Sequence, residues 1–136
     1  MTAVAESDDL QQRRTRVRRR ELLLTLERWA PAYRDVAGDC LSYVFEIAGA
    51  GEQERAWLRR HVAEHGLPQA PGRTAEQLLA AGRQANAAAG AAFLAGDYDR
   101  ARDLIDDARA YGALLEVEWG KLHRFIDAQA SSAVAS

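Results

Sequence analysis

The sequence predicts an all-α protein, an antiparallel helical bundle of three long helices and one short one, with the first helix kinked near Pro31. Three observations carry that prediction. Valine, isoleucine and threonine are scarce, and no stretch alternates apolar with polar residues, so strands have no support. Residues with high helix propensity, above all Ala, Leu, Arg and Glu, make up much of the chain. Two long segments place apolar residues at alternating intervals of three and four, the period of helices packed along a seam.

The first helix is expected from about Asp8 to Ala48. Ser7 or Asp8 caps its start by accepting a bond from a backbone N–H that has no helical partner. Its apolar register is Leu23, Leu26, Ala30, Tyr33, Ala37, Cys40, Val44 and Ile47, widened on one flank by Leu22 and Trp29. Pro31 lacks the N–H that would bond the carbonyl of Glu27, and its ring crowds that carbonyl. The apolar stripe keeps its phase across Pro31, which favours a kink over a break. Gly49 and Gly51 close this helix, and a short second one follows from Glu52 to His65 with Trp57, Leu58, His61 and Val62 on one side.

Gly66, Pro68, Pro71 and Gly72 mark the clearest loop. Thr74 and Gln77 have the spacing of a capping box, opening a third helix over Ala75 to Ala95. Its inner positions (Leu78, Ala81, Ala85, Ala88, Ala89 and Ala92) are small and let a neighbour approach closely. Gly96-Asp97 is a tight turn into the fourth helix, whose register is Tyr98, Ala101, Ile105, Ala108, Gly112, Leu115, Trp119, Leu122 and Ile126. Trp29, Trp57 and Trp119 are the large expected core side chains. The organisation expected is an Arg-rich lead over residues 1–20, a single bundle domain over 21–130, and a small polar, frayed tail over 131–136.

The run Ala92-Phe93-Leu94-Ala95-Gly96-Asp97-Tyr98-Asp99-Arg100-Ala101, continued to Ala108, resembles the turn of a tetratricopeptide repeat, with Gly96, Tyr98, Ala101 and Ala108 matching in place. The resemblance covers about residues 92–108 and no second copy follows. It implies a helical hairpin of the kind that binds peptides or partner proteins.

At 136 residues, 48% hydrophobic and 28% charged, the chain has the size and composition of one globular domain that needs no metal or disulfide staple. Its Ala and Arg richness suits a GC-rich bacterial genome. Cys40 is the single cysteine, so an internal disulfide is excluded, and its place in the apolar register predicts a buried, inert thiol. No signal-peptide pattern and no apolar run near the roughly 20 residues of a membrane span is present. The expectation is a cytoplasmic protein with no membrane partner and no cofactor.

The net charge of −2 conceals an asymmetry: Arg13, Arg14, Arg16, Arg18, Arg19 and Arg20 fall within eight positions. Such a cluster either is a solvated helix start or binds an anionic partner, including nucleic acid, through salt-sensitive contacts. The acids Asp97, Asp99, Asp103, Asp106, Asp107, Glu116 and Glu118 read as a solvated face balanced by Arg100, Arg102 and Arg109. His61-Val62-Ala63-Glu64-His65 matches the spacing of one zinc-peptidase class. His61 and His65 lie one turn apart, but a third ligand is not apparent, so no catalytic residue is assigned.

The leading functional expectation is a non-catalytic bundle that acts through helix packing, as a homodimer or an adaptor for a partner protein. The residues expected to form its seam are Leu22, Leu26, Trp29, Leu115, Trp119, Leu122 and Ile126. The alternative is a pocket for a small hydrophobic ligand, lined by Trp29, Tyr33, Tyr43, Phe93, Tyr111 and Trp119 with His123 as polar anchor. A third reading is nucleic-acid binding through the arginine cluster.

Overall fold

Pro31 and Gly112 decide how the long apolar segments are divided. In the computed structural model, which describes residues 8–33, 36–70 and 72–135, the chain is all-helical, with six α-helices, one 3-10 turn and no strand among the described residues. The helices are α1 (Asp8–Trp29), α2 (Ala37–Ala48), α3 (Glu52–His65), α4 (Ala75–Leu94), α5 (Tyr98–Ala110) and α6 (Glu116–Ala135). Four were expected. The expected spans of the second and third are met by α3 and α4, but the first and fourth are each cut in two.

The break near Pro31 replaces the expected kink. Helix α1 stops at Trp29, Ala30–Tyr33 form a 3-10 turn, and α2 starts afresh at Ala37. A missing N–H and a crowding ring end a helix where the chain can turn at once into another packed element. The freed carbonyl region of Glu27 lies against Gly72, where a Cβ would stand 2.5 Å from the Glu27 oxygen. Only glycine fits that approach. The Ser7 cap and Pro71 lie outside the described residues.

The second cut falls at Gly112, whose φ of 89° is left-handed backbone open to glycine and strained for other residues. Helix α5 ends at Ala110, and α6 begins after Leu115, whose N–H bonds Glu118 Oε1 at 2.9 Å. The turn shifts the apolar register by one position. Leu114 is buried, whereas Leu115, expected on the seam, is 70% exposed. Helix α6 continues through Ser131 to Ala135, over the stretch whose composition suggests a frayed tail.

The chain divides into two units. The unit formed by Arg18–Thr74 has a core of Leu22, Leu26, Ala30, Cys40, Val44, Phe45, Ala50, Leu58 and Val62, with Trp29, Tyr33 and Trp57 packed against it. At its edge Arg18 bonds Glu54 through Nε at 2.7 Å and the carbonyl of Ala48 at 2.6 Å, tying α1 to the start of α3. Ile47, expected in the core, is exposed; Phe45 is buried in its place.

The other unit joins the start of α1, up to Val17, with α4, α5 and α6. Helices α4 and α5 form a hairpin across the Gly96-Asp97 turn, where Gly96 has φ 78° and Asp97 Oδ1 accepts the Arg100 N–H at 3.2 Å. Ala101 and Ala108 are buried, as the spacing predicts. Gly82 lets α4 close on the turn after α5, since a Cβ there would stand 2.8 Å from the Ala113 Cβ. No repeat of this hairpin is seen among the described residues, and no helix among them is long and apolar enough to cross a membrane.

Candidate functional site

Where the start of α1 meets α5 and α6, one carboxylate collects three donors. Asp106 on α5 accepts from His123 Nε2 at 2.7 Å and Trp119 Nε1 at 2.9 Å through one oxygen, and from Arg13 at 2.8 Å through the other. Trp119 and His123 stand one turn apart on α6, so both N–H groups reach the same oxygen, and their rings meet at 4.7 Å. An ionised carboxylate only accepts, so the His123 proton is on Nε2. Arg13 also bonds Asp103 at 3.0 Å and Asp9 at 3.2 Å. Arg14 lays its guanidinium 5.1 Å from the Trp119 ring centre and bonds Glu116 at 2.7 Å.

Burial sets the energetics. Trp119 and His123 are fully enclosed, and the Asp106 side chain is only 17% exposed. Burial alone would raise the Asp106 pKa, but the bonds from His123, Arg13 and Trp119 outweigh it and hold the carboxyl below its ordinary value. Burial likewise opposes the charge of Arg13, and its bonds to Asp106, Asp103 and Asp9 outweigh that and push its pKa higher still. Every buried side-chain nitrogen and oxygen among the described residues has a partner. A His–Asp pair can orient a general base, but the His123 ring is almost wholly enclosed, at 1% exposure. The arrangement ties three helices together.

The residues expected to form a partner seam are largely used within the chain. Leu22, Leu26, Trp119 and Ile126 are buried and Trp29 and Leu122 half-buried, which leaves Leu115 as the one open member. The expected pocket residues are in contact with other rings or backbone. Trp29 meets Tyr43 edge-on at 4.9 Å and Tyr33 lies 6.0 Å from Tyr43, all within Arg18–Thr74. In the other unit Phe93 packs on Tyr98 and Phe125, Tyr111 lies against the Gly82 backbone, and Trp119 meets His123.

The arginine cluster is divided by role. Arg13, Arg14 and Arg18 are held by acids of the chain, and Arg19 lies over the Trp57 ring at 5.0 Å, while Arg16 and Arg20 are exposed. His61 and His65 stack at 4.4 Å with planes 24° apart, and His61 stacks in turn on Trp57. Ring lone pairs lie in the ring plane, so nearly parallel stacked rings do not aim at one ion, and no group of three potential ligands occurs among the described residues. Cys40 is buried, and burial pushes its thiol pKa up.

The acidic row is corrected at one position. Asp99 and Asp103 are exposed as expected, but Asp106 is the enclosed centre of the helix crossing. A signal for it exists in the sequence: Asp106 adjoins the core position Ile105, and the inward face of α6 carries two N–H donors at i and i+4. The open apolar surface lies, Leu115 apart, outside the expected seam. Leu94 is 86% and Phe125 55% exposed, with Leu115 and Val117 also open, all in the unit that contains α4–α6. The Phe125 ring lies 5.3 Å from Phe93, which precedes Leu94 at the end of α4. No family model, curated protein or solved structure matches the chain.

Proposed function

We propose that this protein is a non-catalytic interaction module that pairs with another helix through the outer face of α6 and the end of α4, in the simplest case with a second copy of itself. The observation that supports this reading is the exposure of Leu94, Leu115, Val117 and Phe125 in a unit whose buried polar groups are all satisfied. Large apolar side chains gain about 25 cal/mol for each Å² withdrawn from water, so open aromatic and aliphatic groups favour association. Val117 and Phe125 lie about two turns apart on α6, with Lys121 between them and Arg124 next to Phe125. Exposed apolar side chains on a helix are anchors by which one helix docks on another.

The test is sedimentation velocity over a wide concentration range for the wild type and for Phe125→Asp. Phe125 is 55% exposed but its ring also packs on Phe93, so far-UV circular dichroism of Phe125→Asp is read alongside to establish that the variant is folded. Concentration-dependent self-association that Phe125→Asp abolishes supports the reading. A wild type that stays monomeric at every concentration, with Phe125→Asp indistinguishable from it, overturns it.

A further inference from the structure

We propose that Asp106 is a protonation-controlled latch that holds the N-terminal arm of α1, from Asp8 to Val17, against α5 and α6. Only two apolar side chains of the arm, Leu10 and Val17, are buried. Its other attachments are polar: Arg13 to Asp106 and Asp103, and Arg14 to Glu116 and the Trp119 ring. The same carboxylate that takes Arg13 from the arm also fixes Trp119 and His123 on α6, so a change at one group alters all three helices.

The groups set against this centre are Asp9, Arg13 and Arg14 from α1, Asp103 from α5, and Glu116, Trp119 and His123 from α6, with Arg109 lying 3.9 Å from Glu116. Arg13, Trp119 and the His123 Nε2–H are all donors. A proton on Asp106 adds a fourth donor where three acceptor bonds were made, and it removes the charge opposite Arg13. Protonation of His123 at Nδ1 leaves its bond to Asp106 in place, so the release belongs to the carboxyl. Helices α5 and α6 keep their buried apolar contacts through Ile105, Leu114 and Ile126, whereas the arm keeps the apolar Leu10 and Val17 and the solvent-screened pairs of Arg13 with Asp103 and Arg14 with Glu116. The arm therefore leaves first, and Trp119 and His123 become open to water.

Amide hydrogen exchange read by mass spectrometry, corrected for the intrinsic pH dependence of exchange, tests this on the full chain. In the wild type, protection over residues 8–17 is expected to be lost at a higher pH than protection over α5 and α6. Asp106→Asn should lose arm protection already at neutral pH with α5 and α6 still protected. Arg13→Gln should do the same while leaving the bonds of Trp119 and His123 to Asp106 intact, which covers the case in which Asp106→Asn does not fold. Loss of protection in the arm and in α5–α6 at one common pH overturns the proposal, as does an arm that stays protected at neutral pH in Arg13→Gln.

Discussion

Replacing Asp106 by alanine should destabilise the protein far more than replacing its neighbour Asp103, although both carboxylates bond Arg13. The Asp106 side chain is 17% exposed and the Asp103 side chain 73%. Removing Asp106 leaves the N–H groups of Trp119 and His123 without an acceptor in an enclosed site. An unsatisfied buried polar group costs about 1–3 kcal/mol, so the two together reach roughly 2–6 kcal/mol. Arg13 keeps Asp103 and Asp9, and water can enter at the open edge of Asp106, which places the expected loss at roughly 2–4 kcal/mol. Asp103→Ala breaks an open ion pair and should cost at most about 1 kcal/mol. Urea unfolding followed by far-UV circular dichroism measures both. If the two variants lose the same stability, the enclosed hub is not what holds these helices together.

Acid should weaken the fold through the same carboxylate and through Glu54, which Arg18 holds below its ordinary value. Both groups bind a proton more readily in the unfolded chain, so their contribution is complete above about pH 6 and is lost as pH falls from there through the lower folded values; urea midpoints across acid pH check the sign, and midpoints that rise on acidification would contradict it. Leu26→Ala should lose about 2–5 kcal/mol, because Leu26 is fully enclosed in the core of the Arg18–Thr74 unit with Leu22, Val44 and Leu58; a loss below about 1 kcal/mol in thermal or urea unfolding would show that this core is not packed as described. Gly82→Val should prevent α4 from closing on the Ala113 turn and lower the melting temperature, whereas Gly90→Ala, where a Cβ meets nothing within 4 Å, should hold or raise it. Equal effects at the two glycines would contradict that close approach.

How much of this was legible follows from where periodicity is informative. The 3-4 spacing of Tyr98, Ala101, Ile105 and Ala108 marks a buried face because each residue lies within one uninterrupted helix. The same count carried on through Gly112 places Leu115 in the apolar register and omits the buried Leu114, since a left-handed glycine resets the phase while the numerical spacing continues. Pro31 was recognised as a helix disruptor, but whether the chain kinks or stops depends on tertiary contacts such as the Gly72 approach to Glu27, which no local pattern encodes. Asp106 was hidden for a related reason. Its charge matches its neighbours Asp103 and Asp107, and its burial depends on Arg13 arriving from the far end of the sequence. The expected seam had the right residues for a core and the wrong consequence, because the chain itself buries Leu22, Leu26 and Trp119. Phe125, one position before the buried Ile126, was overlooked because it lies off the register that marks the core.

The most direct test of the interaction reading is the mass of the native protein in solution. Native mass spectrometry on freshly purified wild type and on Phe125→Asp should show a dimer for the first and a folded monomer for the second. A wild-type protein that remains monomeric, with Phe125→Asp giving the same charge-state pattern, would contradict the claim that the outer face of α6 is a self-pairing surface.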